Sequence, residues 1–89
     1  MTLNTVRIVN RFFNKATKSD IDNVLSEIVL SERQSKVFDM YFIKKKNVGF
    51  IADSLCISPA VIYREIYRIR NKVFELIISK ENAKNMIKI

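Results

Sequence analysis

Apolar residues recur every three or four positions along most of the chain, which is the spacing of amphipathic helices. The first stripe consists of Leu3, Val6, Val9, Phe12, Phe13 and Ala16. Residues 17–19 interrupt this stripe, and Ser19 then has the character of an N-cap, because acidic residues follow in the first turn, where the helix dipole favours them. The next stripe consists of Ile21, Val24, Leu25, Ile28 and Val29. The pattern predicts two helices that form an amino-terminal hairpin over residues 1–30.

A third helix is predicted to open at Ser31, because Gln34 three residues later completes a capping box. Its buried side consists of Val37, Phe38, Tyr41 and Phe42. Three consecutive lysines and the capping residue Asn47 follow, so we expect a loop there. A short fourth helix is predicted over residues 48–55, and its buried side consists of Val48, Ile51, Ala52 and Leu55.

Ser58 followed by Pro59 is a strong start signal for a fifth helix, because proline is favoured at the first helical position. The stripe of this helix consists of Ile62, Ile66, Ile69, Val73 and either Leu76 or Ile77. The pattern weakens beyond Lys80, so residues 81–89 are predicted to be a tail or a short extra turn. The sequence shows no strand pattern and no internal repeat. We therefore predict an all-α fold of about five helices in a single domain.

Composition removes several classes of function from consideration. The 89 residues contain one Gly, one Pro, one Cys and no His. A disulfide within the chain, a zinc site built from Cys and His, and a phosphate-binding Gly-rich loop are therefore excluded. Apolar runs are too short to span a membrane, and the amino terminus lacks an export signal. We expect a cytoplasmic protein that is not an enzyme and has no cofactor and no metal.

The charge of the chain points to a polyanionic partner. Sixteen basic and nine acidic side chains give a formal net charge of +7. Residues 31–89 hold twelve of the basic and six of the acidic side chains, whereas residues 1–30 are nearly balanced. The basic excess is thus expected to lie with the carboxyl-terminal helices.

The sharpest signal is the pair of helices joined by residues 56–58, which has the spacing of a helix-turn-helix. A small residue at Ala52 would let the two helices approach closely, and Ser58 would cap the second helix. The space between the helices would be filled by Leu55, Ile57, Ile62 and Ile66. In such a motif the second helix is the one that enters the major groove of DNA.

Residues 30–78 resemble region 4 of bacterial sigma factors and the related LuxR-type helix-turn-helix. The resemblance lies in Leu30-Ser31-Glu32-Arg33-Gln34, in the apolar residues that follow, and in the pattern from Ile51 to Ile66. It implies a bacterial or phage protein that contacts DNA in the major groove, often while touching RNA polymerase. The chain departs from the family at Cys56, where Gly is usual, and at residues 59–61, where the family often has polar residues. Residues 1–30 do not resemble the promoter-melting region of a sigma factor.

The candidate DNA-binding residues are Lys44, Lys45, Lys46, Asn47, Ser58, Ala60, Val61, Tyr63, Arg64, Tyr67 and Arg68. Arg64 is the best candidate for a guanine contact, and Ala60 and Val61 could touch thymine methyl groups. The tyrosines, Arg68 and the lysines are candidates for phosphate contacts. Two plainer interpretations stay open: the arginines could form an ordinary solvated helix face, and the tyrosines could cover the edge of the core. Cys56 is expected to be a small buried residue, and Asp53, Glu65 and Glu75 to be surface acids.

The sequence therefore predicts a DNA-binding transcriptional regulator from a phage, a plasmid or a bacterial chromosome. The alternative is an interaction module that binds RNA polymerase or another regulator without reading DNA. We also expect a homodimer, because one short recognition helix covers too few base pairs for specificity alone. Its candidate surfaces are the stripe that includes Ile69 and Val73, and the stripe that includes Phe12 and Phe13. These stripes could instead pack on one another within a monomer.

Overall fold

The computed structural model describes residues 3–87, with side chains described for residues 4–80. This part of the chain contains five α-helices and no strand, which confirms the predicted fold class. The helices are α1 (Leu3–Lys15), α2 (Lys18–Glu27), α3 (Glu32–Val37), α4 (Val48–Leu55) and α5 (Pro59–Ile87). A π-helical segment, Phe38–Ile43, continues directly from α3. No helix in this range is long and apolar enough to cross a bilayer.

The chain divides into two compact units. The terminal unit consists of Met1–Val29 with Arg70–Ile89, and the central unit consists of Leu30–Ile69. The amino-terminal hairpin expected over residues 1–30 thus lies in a unit that also includes the second part of α5. Residues 70–80 group with this hairpin and not with residues 31–69.

In the terminal unit, the second helix begins earlier than the sequence predicts. The prediction that Ser19 is the N-cap is wrong, because Thr17 caps α2. The Thr17 hydroxyl accepts a hydrogen bond from the Asp20 backbone N–H at 3.2 Å, and the Asp20 carboxylate accepts one from the Thr17 N–H at 3.0 Å. Ser19 and Asp22 have the same spacing, so spacing alone could not choose between the two boxes. The start at Thr17 adds two residues to the helix.

The core of the terminal unit includes Val9, Phe13, Val24 and Val73, all buried. Burying each such side chain contributes about 1.5–3 kcal/mol. Phe13 and Val73 were candidates for a dimer interface, and their burial within the chain removes them from that role. Ile69, another candidate, is fully buried in the central unit.

The core of the central unit consists of Val37, Phe38, Phe42, Val48, Ile51, Ala52, Ile62, Ile66 and Ile69. The capping box that opens α3 is confirmed, because Ser31 and Gln34 exchange two hydrogen bonds of 3.1 Å. The prediction for the buried side of the third helix is confirmed at Val37, Phe38 and Phe42, and that for α4 at Val48, Ile51 and Ala52. Tyr41 and Leu55, which were also predicted to be buried, are half-buried. Elementary hydrophobic periodicity thus located most of the core.

The third helix ends in a wider turn than the sequence predicts. Residues Phe38–Ile43 are π-helical, and the Lys44 N–H donates to the Asp39 carbonyl at 2.9 Å. The aromatic rings of this segment remain in contact, with centroids of Tyr41 and Phe42 5.0 Å apart. Lys45 then adopts a left-handed conformation with φ of 59°, which ends the helix without a glycine.

The fifth helix extends further than its hydrophobic pattern predicts. It ends at Ile87, so residues 81–87 are helical where a tail or a short turn was expected. The segment contains no glycine and no proline after Pro59 to interrupt the helix. Residues 88–89 of the predicted tail lie outside the described residues.

Candidate nucleic-acid interface

The connection between α4 and α5 is a hydrogen-bonded turn of three residues. Cys56 adopts a left-handed conformation, with φ of 56° and ψ of 42°. The Ile57 N–H donates to the Ala52 carbonyl at 3.0 Å, and the Cys56 N–H donates to the Asp53 carbonyl at 3.4 Å. These two bonds define a Schellman motif, which satisfies the last carbonyls of α4 and turns the chain sharply. Cys56 thus occupies the position where glycine is normally favoured, and its side chain is exposed, not buried as predicted.

Ser58 begins the second helix of the pair. Its hydroxyl accepts a hydrogen bond from the Val61 backbone N–H at 3.4 Å, and its carbonyl accepts one from the Ile62 N–H at 3.2 Å. Pro59 is the first residue of α5 and needs no hydrogen-bond acceptor for its nitrogen. The predicted start of the helix is confirmed at this residue.

The first three turns of α5 have two different faces. One face is buried through Ile62, Ile66 and Ile69. The opposite face is exposed and consists of Ala60, Tyr63, Arg64, Tyr67 and Arg68, with Val61 half-buried at its margin. Tyr63 is 61% exposed and Tyr67 is 47% exposed, so a large part of each side chain is open to solvent. This face is accessible to a large partner.

The segment before α4 combines three lysines with a helix cap. The Asn47 side chain accepts a hydrogen bond from the Phe50 N–H at 2.8 Å, so it caps α4 and its oxygen is already engaged. The ammonium group of Lys46 lies 5.3 Å from the centre of the exposed Phe50 ring. Lys44, Lys45 and Lys46 are all exposed. The Lys44 N–H bond to the Asp39 carbonyl anchors the other end of the loop, so its backbone is held at both ends.

Glu65 is not the surface acid that the sequence predicts. It is only 4% exposed, and its carboxylate pairs with Arg33 at 3.5 Å and with Arg68 at 3.3 Å. Glu65 lies next to the apolar stripe of α5, so its carboxylate is buried at the edge of the core. A buried carboxylate is costly unless cationic groups pair with it. Arg33 was missed as a functional or structural residue, since its partner lies on a different helix.

The basic side chains of the candidate interface differ in how far they are neutralised. Arg68 pairs with Glu65, and Lys44 pairs with Asp39 at 3.1 Å. Arg64 and Lys45 have no carboxylate partner among the residues that the structure describes. Lys46, next to Lys45 in the chain, also has no carboxylate partner in this range, so the positive charge available to an anion is greatest at Arg64, Lys45 and Lys46.

All eleven candidate residues belong to the central unit, and ten of them are exposed. The basic excess is less concentrated than expected, however. Residues 30–69 contain seven basic and four acidic side chains, so half of the excess of six in residues 31–89 lies beyond the central unit. Phe50 was not a candidate, although it is 48% exposed. The sequence feature that could have indicated a role for Phe50 is Lys46, a basic residue four positions earlier whose ammonium group lies over the Phe50 ring.

The space between α4 and α5 is filled by only part of the residues that the sequence predicts. Ile62 and Ile66 are buried as predicted, but Leu55 and Ile57 are half-buried and line an open groove together with Arg33 and Lys36.

Among the described residues, no group of three or more His, Cys, Asp or Glu side chains could hold a metal ion. Comparison with known proteins finds no matching family model, no matching curated protein and no matching solved structure.

Proposed function

We propose that the central unit binds duplex DNA, with α4, the turn at Cys56 and the start of α5 acting as a helix-turn-helix. One observation carries this proposal: the first turns of α5 present an exposed face with two tyrosines and an unpaired arginine, opposite a buried isoleucine face. A recognition helix needs this arrangement, because its inner face anchors it while its outer face meets base edges and phosphates. The resemblance to sigma region 4 and LuxR-type proteins supports the same interpretation.

The partial neutralisation of the basic residues suggests how they divide their roles. Arg64 lies in the second turn of α5 and has no acidic partner, so it would read a guanine with both arms of its guanidinium. Ala60 and Val61 would contact thymine methyl groups. Arg68, held by Glu65, would contact phosphate together with Tyr63 and Tyr67. Lys45 and Lys46 would contact phosphates from the loop before α4, in a sequence-independent manner.

The first experiment measures binding to duplex DNA as a function of salt, by mobility shift and by fluorescence anisotropy on mixed-sequence fragments. We expect binding at about 50 mM salt that weakens steeply as salt rises, because neutralised phosphates release counterions. Replacing Lys45 with Gln should reduce the log–log slope by about one. Replacing the exposed Lys18 of the terminal unit with Gln removes the same charge and should leave the slope unchanged. No detectable binding at low salt would refute the proposal.

We further propose that the protein regulates transcription as a homodimer on two half-sites in a bacterium, phage or plasmid. The terminal unit exposes Leu25 on α2 and Val29 just after the end of α2, the latter 85% exposed. Val29 lines an open groove together with Ile28 and Leu76, so a second copy related by a two-fold axis would cover this exposed apolar surface. Sedimentation velocity at micromolar concentration, with and without DNA, tests this. A Val29→Glu variant should shift the mass towards the monomer.

A second candidate function is binding to RNA polymerase or another regulator without contact to DNA. The apolar start of α5 at residues 59–61 and the exposed Phe50 ring favour it, since exposed aromatic residues are common in protein interfaces. The two functions differ in one measurement. A DNA-binding regulator retains affinity for mixed-sequence duplex DNA at low salt, whereas an interaction module of this kind does not.

A further inference from the structure

The terminal unit contains an open groove of about 430 Å³ beside α1. Its apolar lining comes from Ile8 and Phe12 of α1, from Ala16 in the connection to α2, and from Ile77 of α5. All four residues are half-buried, so their apolar surface is in part accessible to solvent. The volume lies within the range of natural ligand sites, and it suits one or two bulky side chains.

The rim of this groove is positively charged. Arg11 and Lys15, four residues apart on α1, line it and are exposed. Asp20 is the acidic residue at the rim, and its carboxylate is already engaged as the cap acceptor from the Thr17 N–H. The helix α1 itself contains three basic residues and no acidic one. The rim therefore has two positive charges and one negative charge, and an anionic group that approached Arg11 and Lys15 would meet a net attraction.

We propose that this groove binds an amphipathic helical segment of a partner protein that carries acidic residues beside its apolar face. Apolar side chains of the segment enter between Ile8, Phe12 and Ile77, while its carboxylates pair with Arg11 and Lys15. This is the helix-in-groove mode of recognition. A nucleic acid backbone would use the two cations but would leave the apolar floor uncovered, so an acidic amphipathic helix satisfies more of the observed surface. The proposal uses no residue of the central unit and is independent of DNA binding.

The probe is a fluorescein-labelled synthetic peptide of about four helical turns, with leucines on one face and glutamates on both sides of that face. A second peptide has the same leucines and Gln in place of each Glu. Binding to the full chain is measured by anisotropy, and the binding site is mapped from backbone amide shifts of ¹⁵N-labelled protein. We expect the acidic peptide to bind about tenfold more tightly than the Gln peptide and to shift amides of Ile8, Phe12 and Ala16.

Two variants separate the charged rim from the apolar floor. The double variant Arg11→Glu, Lys15→Glu should weaken binding of the acidic peptide at least about tenfold, because rim charges of the wrong sign repel it. Lys18→Glu, an exposed lysine of the same unit outside the groove lining, is the control and should have little effect. Ala16→Leu should block the groove without changing any charge. Circular dichroism confirms that each variant is folded.

Three results would overturn the proposal. The first is equal affinity for the acidic and Gln peptides, and the second is amide shifts that lie outside the groove. The third is a double variant that binds the peptide normally but loses affinity for duplex DNA, which would assign Arg11 and Lys15 to nucleic-acid contact. Because DNA binding is measured separately on the central-unit variants, the first two results leave the proposed function unchanged, whereas the third would extend the DNA contacts to the terminal unit.

Discussion

Arg33 at the start of α3 and Glu65 on α5 form an ion pair of 3.5 Å, in which the acidic side chain is almost completely buried. Arg68 completes the arrangement from the next turn of α5. Two guanidinium groups therefore compensate one carboxylate at the edge of the core. The pair connects α3 to the helix that presents the candidate DNA-binding face, in addition to the apolar contacts that bury Ile62 and Ile66.

Removing Arg33 should destabilise the protein although Arg33 itself is half exposed. Arg33→Ala leaves the buried Glu65 carboxylate with one cationic partner, and we expect a loss of about 1–2 kcal/mol in the free energy of unfolding. Lys36→Ala is a matched control on the same helix, because it breaks the exposed pair with Glu32 and should cost less than about 0.5 kcal/mol. Urea denaturation followed by circular dichroism compares the two. Equal losses would show that the Glu65 pair has no special importance.

The left-handed conformation of Cys56 should make glycine a better residue at this position. Cys56→Gly relieves the steric cost of a Cβ atom at positive φ, and the exposed side chain contributes little packing. We expect stabilisation of about 0.5–1 kcal/mol, net of the larger entropy of glycine in the unfolded chain. Cys56→Ala keeps the Cβ atom and should leave stability nearly unchanged. Thermal and urea unfolding measure the difference, and a destabilised glycine variant would contradict the assigned turn geometry.

The position of the cap of α2 can be tested by two alanine substitutions. Thr17→Ala removes the hydroxyl that accepts from Asp20, and we expect a loss of about 1 kcal/mol. Ser19→Ala replaces an exposed residue inside the helix by a better helix former, so stability should be unchanged or slightly higher. Chemical denaturation gives both values. A larger loss for Ser19→Ala than for Thr17→Ala would restore Ser19 as the cap.

Arg64 and Lys45 should affect DNA binding in different ways. Arg64→Ala is expected to reduce discrimination between preferred and random duplexes by about 1–3 kcal/mol, because a bidentate contact to guanine is lost. Lys45→Ala should weaken binding to all duplexes about equally, since a loop lysine contacts phosphate. A preferred site is first selected from a random DNA pool, and affinities are then measured at constant salt. If both variants lost affinity equally on every duplex, Arg64 would have no role in reading bases.

The sequence by itself determined the number of helices, most of the core stripes and the start of α5, although Leu25 and Val29 of the second stripe are exposed. Hydrophobic spacing is a local signal, and a residue such as Ile62 is buried in any fold that uses its helix face. Ser58 followed by Pro59, and the box of Ser31 with Gln34, act within three or four residues, so their hydrogen bonds could be anticipated without knowledge of the rest of the chain. The exposed candidate face of α5 follows from the same periodicity, as the surface opposite the stripe.

Only the tertiary structure decided the features that depend on residues far apart in the chain. The burial of Glu65 depends on Arg33 of another helix. The grouping of residues 70–80 with α1 and α2 depends on which apolar helix faces pack together. The pairing of Arg68 with Glu65 is by contrast a local contact three residues apart on α5, although the burial of the shared carboxylate depends on the packing of α5 against the rest of the central unit. Local patterns carry no information about such pairings, because the free energy of a buried charge is set by what surrounds it and not by its neighbours in sequence.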